Sequence, residues 1–193
     1  TIEAYANPVF QAIVATTNYA IPPTEYQVET RYMKTTNHFL YDTKMMYYDG
    51  HYIPIKYDIV DGIKTGYTTV SKNNLVSTAK KNGNRLISVV FKSYSSNIYV
   101  DSRKLLDYGF DSFKYHNFTF SGNKITSMPI KNGTLNVADL YAEETISGMI
   151  PVDFDLENIQ EEVELIEPKF PILENQSLGK ITYRVNDVII GTS

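Results

Sequence analysis

The sequence contains no cysteine among its 193 residues. This absence excludes a disulfide framework and any metal site built on thiolates. Histidine is scarce as well, and His38, His51 and His116 do not show the short spacing that is typical of metal ligands. We therefore expect neither a metal site nor another cofactor.

Long hydrophobic runs are also missing, since no apolar stretch approaches the roughly 20 residues that span a bilayer. The chain starts without Met and without a basic segment followed by an apolar one, so we expect no signal peptide within it. Its first residues have the pattern of a mid-domain helix, which predicts a fragment of a longer protein. No Lys/Arg-rich patch is present, which argues against nucleic acid as a partner.

The charges that are present divide the chain into two parts. Residues 1–115 hold 13 Lys and Arg against 10 Asp and Glu, whereas residues 116–193 hold 5 against 12. The net charges of the two parts are therefore +3 and −7. Because the hydrophobic periodicity changes at the same place, near residues 112–118, we predict two domains, residues 1–115 and residues 116–193.

The first part has the pattern of an antiparallel sheet with helices packed on it. Asn7 and Pro8 predict the start of a helix. Three strands are predicted, over residues 59–67, 74–80 and 86–91. Asn82-Gly83 predicts a tight turn between the last two, and the nearly continuous apolar residues of the third strand indicate cover on both faces. A helix follows, with Gly109 as its predicted end.

The second part has the pattern of a small all-β sandwich. Short alternating runs recur over residues 125–130, 144–154, 162–166 and 180–190. In the last of them, Ile181 and Tyr183 are predicted to face one side and Thr182 the other. The predicted fold class is therefore α+β, with an all-β sandwich domain after the first domain.

Lys64-Thr65-Gly66, in the first predicted strand, is the strongest candidate for chemistry. On a strand edge, Thr65 can present its hydroxyl to a ligand carboxylate while Lys64 supplies a cation. Gly66 has no Cβ, so the backbone of a ligand can lie close to the strand. A lone triplet of this kind more often belongs to a turn than to a site, so the surrounding sequence must decide.

The surrounding sequence resembles the D-alanyl-D-alanine carboxypeptidases, which are the low-molecular-weight penicillin-binding proteins. The resemblance follows the family's order through "YANPVFQAIVATTNYAIPPT", "VDGIKTGYT", "NLVSTAKKNGNRLISVVF", "SRKLLDYGFDSF" and "PILENQSLGKITYRVNDVIIGTS". It implies a penicillin-recognising fold, in which a five-stranded antiparallel sheet is flanked by helices and followed by a β-domain. Residues 1–115 would be the C-terminal portion of the catalytic domain.

The resemblance also implies the chemistry. A serine, activated by a lysine, attacks the carbonyl between the last two D-alanines of a peptidoglycan stem peptide, and the acyl-enzyme is then hydrolysed. Lys64 would belong to the charge network of the cleft, and Thr65 would bind the terminal carboxylate beside Gly66. The backbone N–H of Tyr67 would be an oxyanion-hole donor, and Thr68 would lie at the rim of the active-site cleft. β-Lactams would be covalent inhibitors of the parent protein. It would act in the cell envelope outside the cytoplasmic membrane, with membrane association through a segment not in this chain.

The nucleophile is expected outside these residues. Ser-x-x-Lys occurs at Ser77, Ser121 and Ser177, but the family places this motif before Lys-Thr-Gly, at the start of a helix. Ser77 and Lys80 lie three positions apart on a predicted strand, so they point to opposite faces and cannot cooperate. We interpret the three matches as chance. We expect the serine upstream of Thr1, from the missing part of the catalytic domain, and this chain by itself to be inactive.

Two alternatives stay open from the sequence. The parent can have the fold without turnover, as a cell-wall binding or spacer module. A β-lactamase is disfavoured because those enzymes lack the trailing all-β domain.

Two loops depart from the family pattern, Val70–Asn74 after the motif and the loop after Phe91.

Overall fold

The chain divides into two units, Thr1–Phe110 and Asp111–Ser193. The structure, a computed structural model, describes residues 2–130, 136–169 and 171–193. The domain boundary predicted at residues 115 and 116 lies within a strand of the second unit, β8 (Phe113–Thr119). The assignment of separate roles to the two domains stays a prediction.

The helices of the first unit are α1 (Ile2–Tyr5), α2 (Pro8–Ala15) and α3 (Asn97–Ser112), the last of which runs into the second unit. Asn7 caps α2, since its Oδ1 accepts hydrogen bonds from the N–H groups of Val9 and Phe10 at 2.9 and 3.3 Å. The predicted start of this helix is confirmed.

Two hairpins precede the main sheet. Their strands are β1 (Asn18–Ile21) with β2 (Arg31–Lys34) and β3 (Met45–Tyr48) with β4 (His51–Pro54). A 3-10 helix, His38–Leu40, lies between the hairpins and buries Phe39 completely.

The main sheet is antiparallel, in the order β5 (Val60–Thr68), β6 (Lys72–Lys81), β7 (Asn84–Ser93). Asn82 and Gly83 join the last two strands at φ values of 52° and 84°. Both residues must be left-handed in a two-residue turn of this type, so the predicted Asn-Gly hairpin is confirmed.

Helix α3 covers one face of this sheet and builds the core of the first unit. Leu75 and Ala79 of β6 are buried against Ile98, Tyr99 and Leu106. Side chains from the 3-10 helix and the β3–β4 hairpin complete the cluster.

The prediction that Gly109 ends its helix is wrong, because α3 continues to Ser112. A Cβ on Gly109 would lie 2.5 Å from Cδ1 of Leu86. The glycine is therefore needed for the close approach of α3 to β7, and not for a left-handed cap.

Strand β7 is not covered on both faces in the described part of the chain. Val89 is 42% exposed and Phe91 is 74% exposed. β7 is the last strand of the three, and α3 packs on the other face of the sheet, against Leu86 and Val90. A continuous apolar run is typical of a doubly covered strand, but it does not reveal which elements are there to cover it.

The second unit is built from strands. β8 pairs with β11 (Ile146–Pro151), β9 (Lys124–Pro129) pairs with β10 (Val137–Tyr141), and β13 (Gly179–Val185) lies between β12 (Gln160–Leu165) and β14 (Val188–Thr192).

Two of these sheets pack face to face in the second unit. A Cβ on Gly148 of β11 would lie 2.4 Å from Ile190 of β14, so the two strands approach closely. Ile146, Ile181 and Tyr183 form the core between the sheets. Together the two units confirm the predicted fold class, α+β followed by an all-β sandwich.

Candidate active site

The Lys-Thr-Gly motif occupies the second half of β5, at the edge of the main sheet. Lys64, Thr65 and Gly66 pair with Val76, Leu75 and Asn74 of β6. In the described part of the chain β5 has no strand on its other side. The outer edge of β5 is therefore open to an extended ligand.

Thr65 faces the same side of the sheet as Leu75, its partner in the register. The residue is half-buried, and its hydroxyl is hydrogen-bonded to the hydroxyl of Thr36. Thr36 follows strand β2 and is exposed. Sequence reasoning missed Thr36, because only the folded chain brings it next to a residue 29 positions away.

Lys64 points to the opposite face, as successive residues of a strand do. The side chain is exposed, and its Nζ donates a hydrogen bond to the Thr65 carbonyl at 2.6 Å. Lys64 makes no ion pair with any described residue. It lines an apolar groove of about 650 Å³ with residues of α2 and the β1–β2 hairpin, among them Ile13 and Met33. The ammonium is thus available to a ligand.

The next three residues are exposed at the end of β5. A Cβ on Gly66 would meet nothing within 4 Å, so space is open beside the backbone. The side chain of Tyr67 is 64% exposed. The Thr68 hydroxyl accepts the Ser71 N–H at 2.9 Å and lies 2.7 Å from the Ser71 hydroxyl, so it shapes the turn to β6. The roles predicted for these residues stay predictions.

A polar cluster holds the first half of β5. Both terminal nitrogens of Arg85 contact Asp61 at 2.8 Å, and the Thr78 hydroxyl donates to the same carboxylate. Burial raises the pKa of the Asp61 carboxyl, but the hydrogen bonds from Arg85, Thr78 and Tyr5 outweigh it and lower the pKa below its usual value. The cluster ties β5 to β6 and β7 beside the motif.

None of the Ser-x-x-Lys sequences lies on a helix. Ser77 is 0% exposed, beneath α3, while Lys80 is exposed. Ser121 lies in a turn and donates to the Glu143 carbonyl at 2.8 Å, and Ser177 lies in a loop. A buried hydroxyl without a base beside it cannot act as a nucleophile on an external substrate.

Within the described residues there is no cluster of three or more His, Asp or Glu side chains that could bind a metal. No described helix is both long and apolar enough to cross a membrane.

Two families of known sequences match the chain, one for each unit. Residues 10–95 match the D-alanyl-D-alanine carboxypeptidase family. Residues 113–193 match the C-terminal domain of penicillin-binding protein 5.

Curated relatives match over about two thirds of the chain. D-alanyl-D-alanine carboxypeptidase DacF of Bacillus subtilis is 28% identical over 139 residues, which are 71% of this chain and 36% of the relative. D-alanyl-D-alanine carboxypeptidase DacA of Haemophilus influenzae is 33% identical over 132 residues, which are 66% of this chain and 33% of the relative. The chain thus spans about a third of the length of these relatives.

Solved structures show the same fold. Penicillin-binding protein 5 from Haemophilus influenzae superposes with a TM-score of 0.59 at 28% identity, covering 81% of this chain and 48% of that one. The carboxypeptidase DacD from Francisella tularensis superposes with a TM-score of 0.56 at 20% identity, covering 96% of this chain and 48% of that one. This second likeness concerns the fold alone.

The fold and the order of the two matched segments define a class of protein, in which part of a penicillin-recognising domain is followed by a β-domain. The chain belongs to the D-alanyl-D-alanine carboxypeptidase family.

Proposed function

We propose that this chain forms the Lys-Thr-Gly side of the active site, and the C-terminal β-domain, of a serine D-Ala-D-Ala carboxypeptidase. The substrate is a peptidoglycan stem peptide, from which the terminal D-alanine is removed through an acyl-serine. One observation carries the proposal. Lys64-Thr65-Gly66 lies on an open edge strand, inside the segment that matches the carboxypeptidase family.

The geometry of β5 supports the roles that we propose for its residues. An extended peptide lying along the outer edge of the strand passes Gly66, where no Cβ is in the way. The Thr65 hydroxyl donates to the peptide's terminal carboxylate on one face of the strand, and Lys64 supplies positive charge to the cleft from the opposite face. The N–H of Tyr67 donates to the oxyanion of the tetrahedral intermediate, and Thr68 holds the adjoining turn.

The serine and its lysine base come from protein outside these residues. None of the three Ser-x-x-Lys serines in this chain combines an accessible hydroxyl with a lysine on the same helix face. The curated relatives are about three times as long as the matched segment, which leaves room for a nucleophile elsewhere in the protein. This chain alone is then inactive.

The substrate places the protein in the cell envelope, outside the cytoplasmic membrane. β-Lactams carry a carboxylate and a reactive carbonyl, so they acylate the same serine. The second unit, Asp111–Ser193, acts as a separate β-domain.

A non-catalytic cell-wall binding module is the second candidate. It is favoured by one observation, the absence of a Ser-x-x-Lys on any described helix.

The two candidates are separated by labelling the full-length protein with a fluorescent penicillin and by measuring D-alanine release from a peptide that ends in D-Ala-D-Ala. The carboxypeptidase is expected to do both. We expect Lys64→Ala to slow acylation by about 100-fold or more, as removal of a charged group from an active site does.

Lys56→Ala is the matched control, because Lys56 is a half-exposed lysine of the same unit that pairs with Asp58 at 2.7 Å. Its acylation rate should equal that of the wild type. A wild type that is neither labelled nor releases D-alanine would contradict the carboxypeptidase and favour the binding module. If Lys64→Ala were acylated at the wild-type rate, Lys64 would not be a residue of the active site.

A further inference from the structure

Building on the function proposed above, we propose that Thr36 binds the substrate's terminal carboxylate together with Thr65, and that Tyr99 is the positioning residue that holds Thr36 there. Thr36 is the described side chain that the structure places in hydrogen-bond contact with the Thr65 hydroxyl. The two residues come from different elements, the loop after β2 and the edge strand β5.

Two neighbouring hydroxyls match the shape of a carboxylate. Each hydroxyl carries one hydrogen and can accept through its lone pairs, so in the free protein one hydroxyl donates to the other. A carboxylate offers two acceptor oxygens, and each hydroxyl can then donate to one of them. Hydrogen bonds to an ionised acceptor are stronger than the neutral bond that they replace.

Thr36 is also placed where a ligand can reach it. It is exposed, although the next residue, Asn37, is completely buried. The Asn37 side chain accepts the Phe39 N–H at 3.2 Å and so begins the 3-10 helix. The backbone on one side of Thr36 is thus anchored in the core, while its own side chain is exposed and contacts the Thr65 hydroxyl.

Tyr99 of α3 supplies a second anchor. The residue is only 7% exposed, and its hydroxyl donates to the Thr36 carbonyl at 3.1 Å and accepts the His38 N–H at 3.2 Å. One hydroxyl therefore bonds the backbone on both sides of Asn37. Because α3 packs against the sheet that contains Thr65, this bridge sets the distance between the two threonines.

The ring of Tyr99 is held independently of its hydroxyl. It packs against Phe39 with ring centroids 5.0 Å apart, and against His38 at 5.4 Å. His38 in turn bonds Asp42 at 2.7 Å. Removing the hydroxyl alone should leave this packing in place and release only the loop that carries Thr36.

The test uses the full-length protein and two peptides, one ending in D-Ala-D-Ala with a free carboxylate and the same peptide with a C-terminal carboxamide. We expect Thr36→Val to lower kcat/KM for the free acid by about 10-fold, as the loss of a hydrogen bond to a charged group does. The value for the carboxamide should change by less than about 2-fold, since it lacks the charge. Thr36→Ser, which keeps the hydroxyl, should restore the free-acid value.

Tyr99→Phe should act in the same direction with a smaller effect, about 3-fold on the free acid. Thr30→Val is the matched control, because Thr30 is an exposed threonine in the loop between β1 and β2. Circular dichroism and the thermal midpoint of each variant report whether it is folded.

The outcomes are distinguishable. If the wild type neither releases D-alanine nor takes up penicillin, the proposed function fails and this inference fails with it. If the wild type is active but Thr36→Val affects both peptides equally or neither, the carboxylate role of Thr36 is overturned while the carboxypeptidase stands. If Thr36→Val discriminates and Tyr99→Phe behaves as the wild type, the positioning role of Tyr99 is overturned.

Discussion

The two halves of strand β5 differ in what their side chains do. Residues 60–63 are mostly buried, and Asp61 among them is bonded by Arg85 and Thr78. Residues 64–68 are mostly exposed, and among the described residues Lys64 donates a hydrogen bond to the neighbouring Thr65 carbonyl. One half therefore anchors the strand, and the other half presents polar groups to whatever lies along the edge. A site needs both, because a ligand gains most from groups that are free but already held in position.

The same contrast separates the motif from a second anchored cluster, where the β3–β4 hairpin meets α3. The hydroxyls of Tyr48 and Tyr57 both donate to Asp107, and the Arg103 guanidinium lies 3.9 Å from the Tyr57 ring centroid. Burial, and then the Asp107 carboxylate, raise the pKa of both tyrosines. If the clusters stabilise the fold and the motif binds the ligand, substitutions in the clusters should lower the free energy of unfolding. Substitutions in the motif should leave it nearly unchanged.

The largest effect on the free energy of unfolding is expected from substitution of Asp107. Asp107→Ala leaves two tyrosine hydroxyls without their acceptor and Arg103 without its ion pair, so we expect a loss of about 2–3 kcal/mol in the free energy of unfolding. Urea denaturation of the protein measures it. Asp58→Ala is the control, because Asp58 pairs with Lys56 at the surface and should contribute less than about 0.5 kcal/mol. Equal losses in the two variants would contradict an anchoring role for Asp107.

An intermediate effect, dependent on pH, is expected at Asp61. Its folded pKa lies below its unfolded value, so its contribution is complete above the unfolded pKa of about 3.9 and is lost as the pH falls through the folded pKa. Asp61→Asn should therefore cost about 1 kcal/mol at pH 7 and progressively less on acidification. Unfolding curves of wild type and variant between pH 7 and about pH 2 give the difference. A difference that does not shrink at low pH would show that the ionised carboxylate is not the stabilising group.

The smallest effect on stability is expected in the motif. Lys64→Ala and Thr65→Val remove groups whose hydrogen bonds to described residues are to a carbonyl and a surface hydroxyl, so each should change the free energy of unfolding by less than about 0.5 kcal/mol. The same denaturation experiment tests this. A loss above about 1 kcal/mol in either variant would show that the motif also stabilises the fold. The two halves of β5 would then not differ in their contribution to stability.

Local features were predictable from the sequence. Asn7 as a helix cap and Asn82-Gly83 as a turn are decided by residues next to one another in the chain. The Lys-Thr-Gly triplet and the stretches around it identified the family. Gly109 was misread because a glycine near a helix end is typical of a cap, whereas here the space is limited by Leu86, 23 positions earlier in the chain.

The sequence by itself determined the three strands of the main sheet, the Asn82-Gly83 turn and the position of the motif on the first of these strands, because these depend on periodicity and on short-range turn preferences. Only the tertiary structure decided that Thr36 lies beside Thr65, that the Tyr99 hydroxyl bridges to that loop, and that Val89 and Phe91 are exposed. Each of these facts depends on which distant segments pack together. That outcome is set by the burial of the whole set of apolar side chains, and no short window of sequence contains it.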